Sequence, residues 1–201
     1  MKPQRVRKTL SPTQRLRRLF ARLRARFQRN LAGAFLRNAN LDRGDLRRRI
    51  LRGANLCSAR AERCDFSGAD LRKANARRAS FHHAKFHCAN LRQALLRHAN
   101  FVHADLHATD LRGADLRGAD FSQAHVLATD YRGADLRRTR FDFADMRNAQ
   151  LAGADLRGAD LRDALVNSRS LVGAIVDATT RLPEHMQVEQ PAVCIDSSDL
   201  N

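Results

Sequence analysis

Residues 111–120 read LRGADLRGAD, a five-residue unit of the form A(D/N)LRG repeated without a gap. With its central large apolar residue labelled i, that position recurs at every fifth residue from Leu31 through Val176, giving 30 units without an insertion. Of these 30 positions 23 are Leu or Phe, and two residues earlier, at i−2, 22 are Ala. Nine of the ten glycines sit at i+2. A self-similarity this regular decides the architecture before any local propensity is weighed.

A period of five suits neither an α-helix nor a continuous strand. On a helix, residues five apart are rotated by about 140°, which scatters the leucines around the cylinder. Along one strand an odd period sends them alternately to opposite faces. Positions i−2 and i are two apart, so a short extended piece points both the same way. A corner must follow, and Gly at i+2 tolerates the positive φ that corners often need. Extended piece, corner, extended piece describes a coil with Ala and Leu inside.

A second period sets the size of each turn. Phe81, Phe101, Phe121 and Phe141 lie 20 residues apart, so four units make one turn and these rings form a core ladder. Leu36, Leu56, Ala76, Leu96, Leu116, Leu136 and Leu156 form an aliphatic column on another face. Thirty units make about seven and a half coils, which at the ~4.8 Å inter-strand spacing give a rod about 36 Å long.

The A(D/N)LXX units over residues 31–178 resemble the pentapeptide-repeat family. The resemblance implies an all-β solenoid, a right-handed quadrilateral parallel β-helix. Arg49 and Arg169 occupy the inward i−2 position, where local distortion near the rod ends is expected. The resemblance also implies a possible function. Some members mimic B-form DNA, bind type II topoisomerases and protect them from quinolones. Mimicry needs an acidic exterior, whereas residues 31–178 carry 25 basic and 17 acidic side chains, a net +8.

Three segments are expected: a basic leader (1–30), the repeat β-helix (31–178) and a C-terminal cap and tail (179–201). The leader holds eleven Lys/Arg and no acid. Within it, Ser11-Pro12-Thr13-Gln14 reads as a helix start. Leu16, Leu19, Phe20, Leu23 and Phe27 then follow at helical spacing, predicting a short amphipathic α-helix over 12–28. Its apolar stripe suits a cap on the open end of the solenoid. Arg15, Arg18, Arg22 and Arg26 on its polar side suit nucleic acid or an anionic membrane. The chain contains no apolar run near the ~18 residues of a membrane span. The start of the chain lacks the apolar core of a secretory signal. Cys57, Cys64, Cys88 and Cys194 follow no disulfide or metal spacing, which points to a reducing cytoplasm.

Sorting the i+1 residues by face places arginine ladders on two adjacent faces. One carries Arg52, Arg72, Arg92, Arg112 and Arg132; the next carries Arg37, Arg77, Arg97, Arg117, Arg137 and Arg157. Asp110, Asp115, Asp130 and Asp135 lie two residues from their arginines and interleave the charge. These ladders either solvate the rod or dock an acidic protein partner, and the carboxylates argue against strong DNA binding, which wants unopposed cations. His83/His103 and His87/His107 are also 20 apart and should stack; stacked imidazoles could take a soft divalent metal, or histidine simply replaces arginine at exposed sites. No phosphate loop, nucleophile elbow or HExxH is present, so no catalytic, cofactor or metal residues are assigned and a non-enzyme is expected. The expectation is a non-catalytic protein-interaction scaffold, with a homodimer contact possible through the C-terminal segment.

Overall fold

A computed structural model describes residues 29–186. The leader helix expected over 12–28 and the tail beyond 186 fall outside the described residues. From Asn30 onward the chain winds as a parallel β-solenoid. Residue i−1 of each unit bridges the residue 20 positions later, from Asn30↔Ile50 through Asp145↔Leu165. Four pentapeptides therefore make one coil, each contributing one side. We number the sides by their first apolar residue: face 1 from Leu31, face 2 from Leu36, face 3 from Leu41 and face 4 from Leu46.

Each unit satisfies its backbone by a fixed scheme, illustrated around Leu71. Its N–H donates to the Asn90 carbonyl of the next coil, and the Lys73 N–H donates to the Arg92 carbonyl. Asp70 N–H reaches back to Arg49 of the previous coil, and Ala74 N–H closes a turn onto the Leu71 carbonyl. The third residue of that turn, Lys73, has φ +57, as a type II turn requires. The fifth donor, Arg72 N–H, is met by the Asp70 side-chain Oδ1 at 3.2 Å. Asp or Asn at i−1 thus completes the backbone hydrogen bonding that a coil of corners would otherwise leave open.

The core is one narrow column of inward i and i−2 side chains. Phe81, Phe101, Phe121 and Phe141 stack on face 3 with centroid spacings of 5.1, 4.9 and 5.1 Å. A second pair, Phe66 and Phe86 on face 4, stacks at 4.9 Å and meets Phe81 edge-on. Thr109 and Thr129 stand at alanine positions and bond inward carbonyls of the preceding coil, Phe86 and Leu106, at 2.7 and 2.8 Å. Cys64 does the same toward Gly44, and burial pushes its thiol up to about 12.

The frame does not run unbroken to Val176. After Val166 a 3-10 turn, Ser168–Leu171, replaces a corner. Asn167 caps it by accepting from Ser170 N–H and Oγ, both at 2.8 Å. Ser170 is buried where the repeat would place Arg169, and Arg169 is exposed. A guanidinium cannot be desolvated in a column built for alanine, so the chain slips by one residue instead. The slip is absorbed before Ile175, where Asp155↔Ile175 restores the 20-residue register; a separate extra residue enters after it, since the last bridge, Asp160↔Arg181, spans 21. Arg49 causes no such break: Asp45↔Asp65 and Ile50↔Asp70 both hold around it, and its side chain is half-buried. Beyond Arg181 the chain leaves the coil, and Pro183 and Met186 are buried there.

Candidate binding surface: the arginine–aspartate faces

Six of the i+1 arginines of faces 1 and 2, Arg72, Arg112, Arg117, Arg132, Arg137 and Arg157, are held against the rod by the i−1 aspartates of their own units. Arg112 donates Nε and Nη2 to the two Asp110 oxygens at 2.9 and 2.6 Å. Arg72–Asp70, Arg132–Asp130, Arg137–Asp135 and Arg157–Asp155 repeat this fork. The geometry is set locally. Residues i−1 and i+1 point outward on either side of the inward residue i, and the Asx turn has already fixed the carboxylate.

Asp70, Asp115, Asp130, Asp135 and Asp155 also reach an arginine of the neighbouring coil. Arg97 bonds Asp115, Arg117 Nε lies 3.3 Å from Asp135, and Arg137 Nε lies 3.5 Å from Asp155. On face 2 these contacts join into one ribbon: Arg97, Asp115, Arg117, Asp135, Arg137, Asp155, Arg157. Face 1 has shorter runs, Arg52–Asp70–Arg72 and Asp110–Arg112–Asp130–Arg132. All eleven ladder arginines lie on these faces as expected, but their environments differ. Arg92 and Arg77 follow an Asn, and the Arg77 Nε is buried without a hydrogen-bond partner.

The protonation equilibria follow this geometry. Side-chain hydrogen bonds from Arg47 and Arg72 lower Asp45 and Asp70 to about 2. Burial pushes Asp110, Asp130 and Asp135 upward, yet the combined pull of their arginines leaves each below the ordinary carboxylate value. The partner guanidiniums of Arg112, Arg132 and Arg137 are raised in turn, first by the same hydrogen bonds.

A shallow groove of about 830 Å³ runs beside the face 2 ribbon. Arg97, Arg117, Arg137 and Arg157 form one wall, and the corner residues His98, Gly118, Arg138 and Gly158 form the other. The groove depends on its glycines. A Cβ at Gly118 would stand 2.7 Å from the His98 Nδ1, and one at Gly158 would lie 3.3 Å from the Arg138 Cγ. Arginine donors beside an open floor suit carboxylate or phosphate oxygens, which accept two parallel hydrogen bonds from a guanidinium.

The histidine pairs stack as their spacing predicts, His83–His103 at 4.7 Å and His87–His107 at 5.1 Å. His83 is held below the ordinary imidazole value by desolvation first, then by His82, His103 and Arg63. Among the described residues no group of three or more His, Cys, Asp or Glu is arranged to hold a metal ion. Arg15, Arg18, Arg22 and Arg26 lie outside the described residues.

Two features of this surface escape a sequence reading built on charge alone. The aspartates serve the backbone before they serve the arginines, a role signalled by the interchange of Asp and Asn at i−1. The groove is the second, and only the pairing of Gly118 with Gly158 on the same edge hints at it.

The family model for pentapeptide repeats matches residues 50–87, 84–123 and 132–164, in eight copies. No protein of curated function matches the sequence. Among solved structures, trypsin-treated QnrB1, a plasmid-mediated fluoroquinolone resistance protein, is 17% identical with a TM-score of 0.48, covering 81% of this chain and 88% of that one. The pentapeptide repeat protein alr5209 from Nostoc PCC 7120 is 34% identical with a TM-score of 0.40, covering 52% and 74%. HetL, involved in heterocyst differentiation regulation in Nostoc sp. strain PCC 7120, is 25% identical with a TM-score of 0.26, covering 87% and 92%. With family repeats matched over more than half its length and an observed 20-residue coil built from them, the chain belongs to the pentapeptide-repeat family.

Proposed function

We propose that the protein is a non-catalytic cytoplasmic scaffold that docks an acidic segment of a partner protein on the arginine ribbon of face 2. The observation that carries this reading is the groove itself. Its arginines are pre-set in a rigid, repeating geometry, so binding a carboxylate row orders little that is not already ordered. The guanidiniums of Arg117, Arg137 and Arg157 are each anchored through Nε and one Nη, leaving their remaining donors for a partner. The non-catalytic part rests on the state of the acids. The carboxylates that could act as acids or bases at this surface are engaged as turn acceptors and arginine partners. The same engagement disfavours mimicry of DNA, because the negative charges a mimic must display are covered by cations. Free Cys57, Cys64 and Cys88 support the cytoplasmic placement.

The test is affinity capture with the full-length protein, comparing wild type with Arg117→Ala/Arg137→Ala/Arg157→Ala and with the face 4 control Arg47→Ala/Arg147→Ala. A protein partner kept by wild type and the control, and lost at least tenfold by the face 2 variant, is the expected result. Equal retention by all three sinks the proposal.

A further inference from the structure

The charge of the rod is segregated along its axis. Residues 31–92 hold 14 Lys/Arg and five acids, a net +9, whereas residues 93–178 hold 11 Lys/Arg and 12 acids, a net −1. The ion pairs follow the same division. In the second half, Arg97, Arg112, Arg117, Arg132, Arg137 and Arg157 are all paired with aspartate. In the first half, Arg47, Arg52, Arg60 and Arg72 have a carboxylate within 4 Å. The cations without one include Arg43, Arg48, Arg63, Lys73 and Arg78.

Those five share one structural position. Each is the i+2 corner residue of its unit, exposed and at φ between +55 and +57. They occupy every edge of the rod. Lys73 follows face 1, Arg78 face 2, Arg43 and Arg63 face 3, and Arg48 face 4. The unopposed corner charge is therefore a collar around about two coils, residues 43–78, separate from the lining of the face 2 groove. At ~4.8 Å per coil these five cations amount to roughly one per 1.7 Å of axis, about twice the density of phosphates along one strand, one per ~3.4 Å.

From this collar we infer that the N-terminal half of the rod binds single-stranded nucleic acid through its phosphates, independently of the protein-docking groove. A folded acidic protein meets one side of a rod and leaves the cations on the far edges unused. A duplex, with a persistence length of ~150 bp, cannot follow corners a few ångströms apart, whereas a single strand can. Phe35, 76% exposed beside Arg37 in the first coil, offers a stacking surface for a base. The collar has no base-reading pattern, so binding is independent of sequence and steeply dependent on salt.

The experiment uses the full-length protein and a fluorescein-labelled 30-nucleotide deoxythymidine strand, followed by anisotropy from 50 to 300 mM salt. The collar variant is Arg48→Gln/Arg63→Gln/Lys73→Gln/Arg78→Gln. Gln is compatible with this corner, since Gln93 and Gln123 already occupy it at φ +56 and +59. The control, Arg132→Gln/Arg137→Gln/Arg147→Gln/Arg162→Gln, removes the same charge from the aspartate-paired half. At 150 mM salt the Debye length is ~8 Å, so the two halves report separately. The collar variant is expected to lose at least tenfold in affinity, and its log K against log salt slope to flatten by about 0.7 per lost contact. The control is expected to change less than threefold. Equal losses in the two variants, full binding by the collar variant, or equal affinity for a 30-bp duplex at matched phosphate concentration overturns the inference. So does retention on polyglutamate with no measurable affinity for the strand.

Discussion

Tyr131 stands at a position held mostly by Leu and Phe, with its ring edge-on to Phe121 and Phe141. Its hydroxyl is buried without a hydrogen-bond partner, and burial raises its pKa. An unsatisfied buried hydroxyl costs about 1–3 kcal/mol, while the ring itself packs well. Tyr131→Phe should therefore stabilise the protein by about 1 kcal/mol in urea unfolding, and a loss of stability would mean that the hydroxyl is in fact satisfied. The corners tell a related story. Among the described residues, 18 non-glycine side chains adopt positive φ, a conformation that costs a typical L-residue roughly 1–2 kcal/mol. The repeat tolerates this because each corner N–H is locked to the next coil, as for Lys73 and Arg92. Cations and imidazoles can then be displayed at the edges, where a strictly glycine corner would display nothing.

At the scale of the pentapeptide, Asp or Asn at i−1 is the hinge of the design. Asp110 accepts the Arg112 backbone N–H at 3.2 Å and its guanidinium at 2.9 and 2.6 Å. These two roles separate by substitution. Asp110→Asn keeps an acceptor for the backbone and loses the ion pair, a partly exposed contact worth up to about 1 kcal/mol. Asp110→Ala also strands the N–H, adding about 1 kcal/mol more. Thermal unfolding of the two variants should rank wild type, Asn, Ala; equal destabilisation would show that the turn acceptor contributes nothing. The 3-10 turn at Ser168–Leu171 marks the opposite case: at Arg169 the corner leaves the frame, whereas Arg49, also at an inward position, leaves its bridges intact.

Across the whole molecule, each coil is buried by its neighbours, so stability accumulates along the axis rather than around a central globule. The aspartates contribute to that sum in a pH-dependent way. Asp45 and Asp70 lie near 2, and Asp110, Asp130, Asp135, Asp145 and Asp160 are also lowered. A depressed carboxylate binds fewer protons folded than unfolded, so its stabilisation is complete above the unfolded value near 4 and disappears as pH falls through the folded one. The melting temperature should thus decline only slightly from pH 7 to about 5, where His83 takes up a proton more readily in the unfolded chain, and drop steeply between about 4 and 2. A melting curve indifferent to acid would mean that the ribbon adds no stability. The same pairing explains the axial contrast, because aspartates occupy the arginine units of the second half and are sparse in the first.

The five-residue period, by itself, determined the coil, its 20-residue turn, the inward Ala and Leu, the phenylalanine ladder and the two arginine faces. Those follow from which way a side chain can point in an extended piece between corners, a question of local geometry. The axial charge division was also legible along the chain, by counting acids before and after residue 92. What only the tertiary structure decided depends on neighbours 20 residues away. Arg117 bridges to Asp135, Gly118 opens a groove because His98 lies under it, and Ser170 replaces Arg169 in the core. Distances of this kind are set by stacking one coil on another, and no stretch of sequence shorter than two coils contains them.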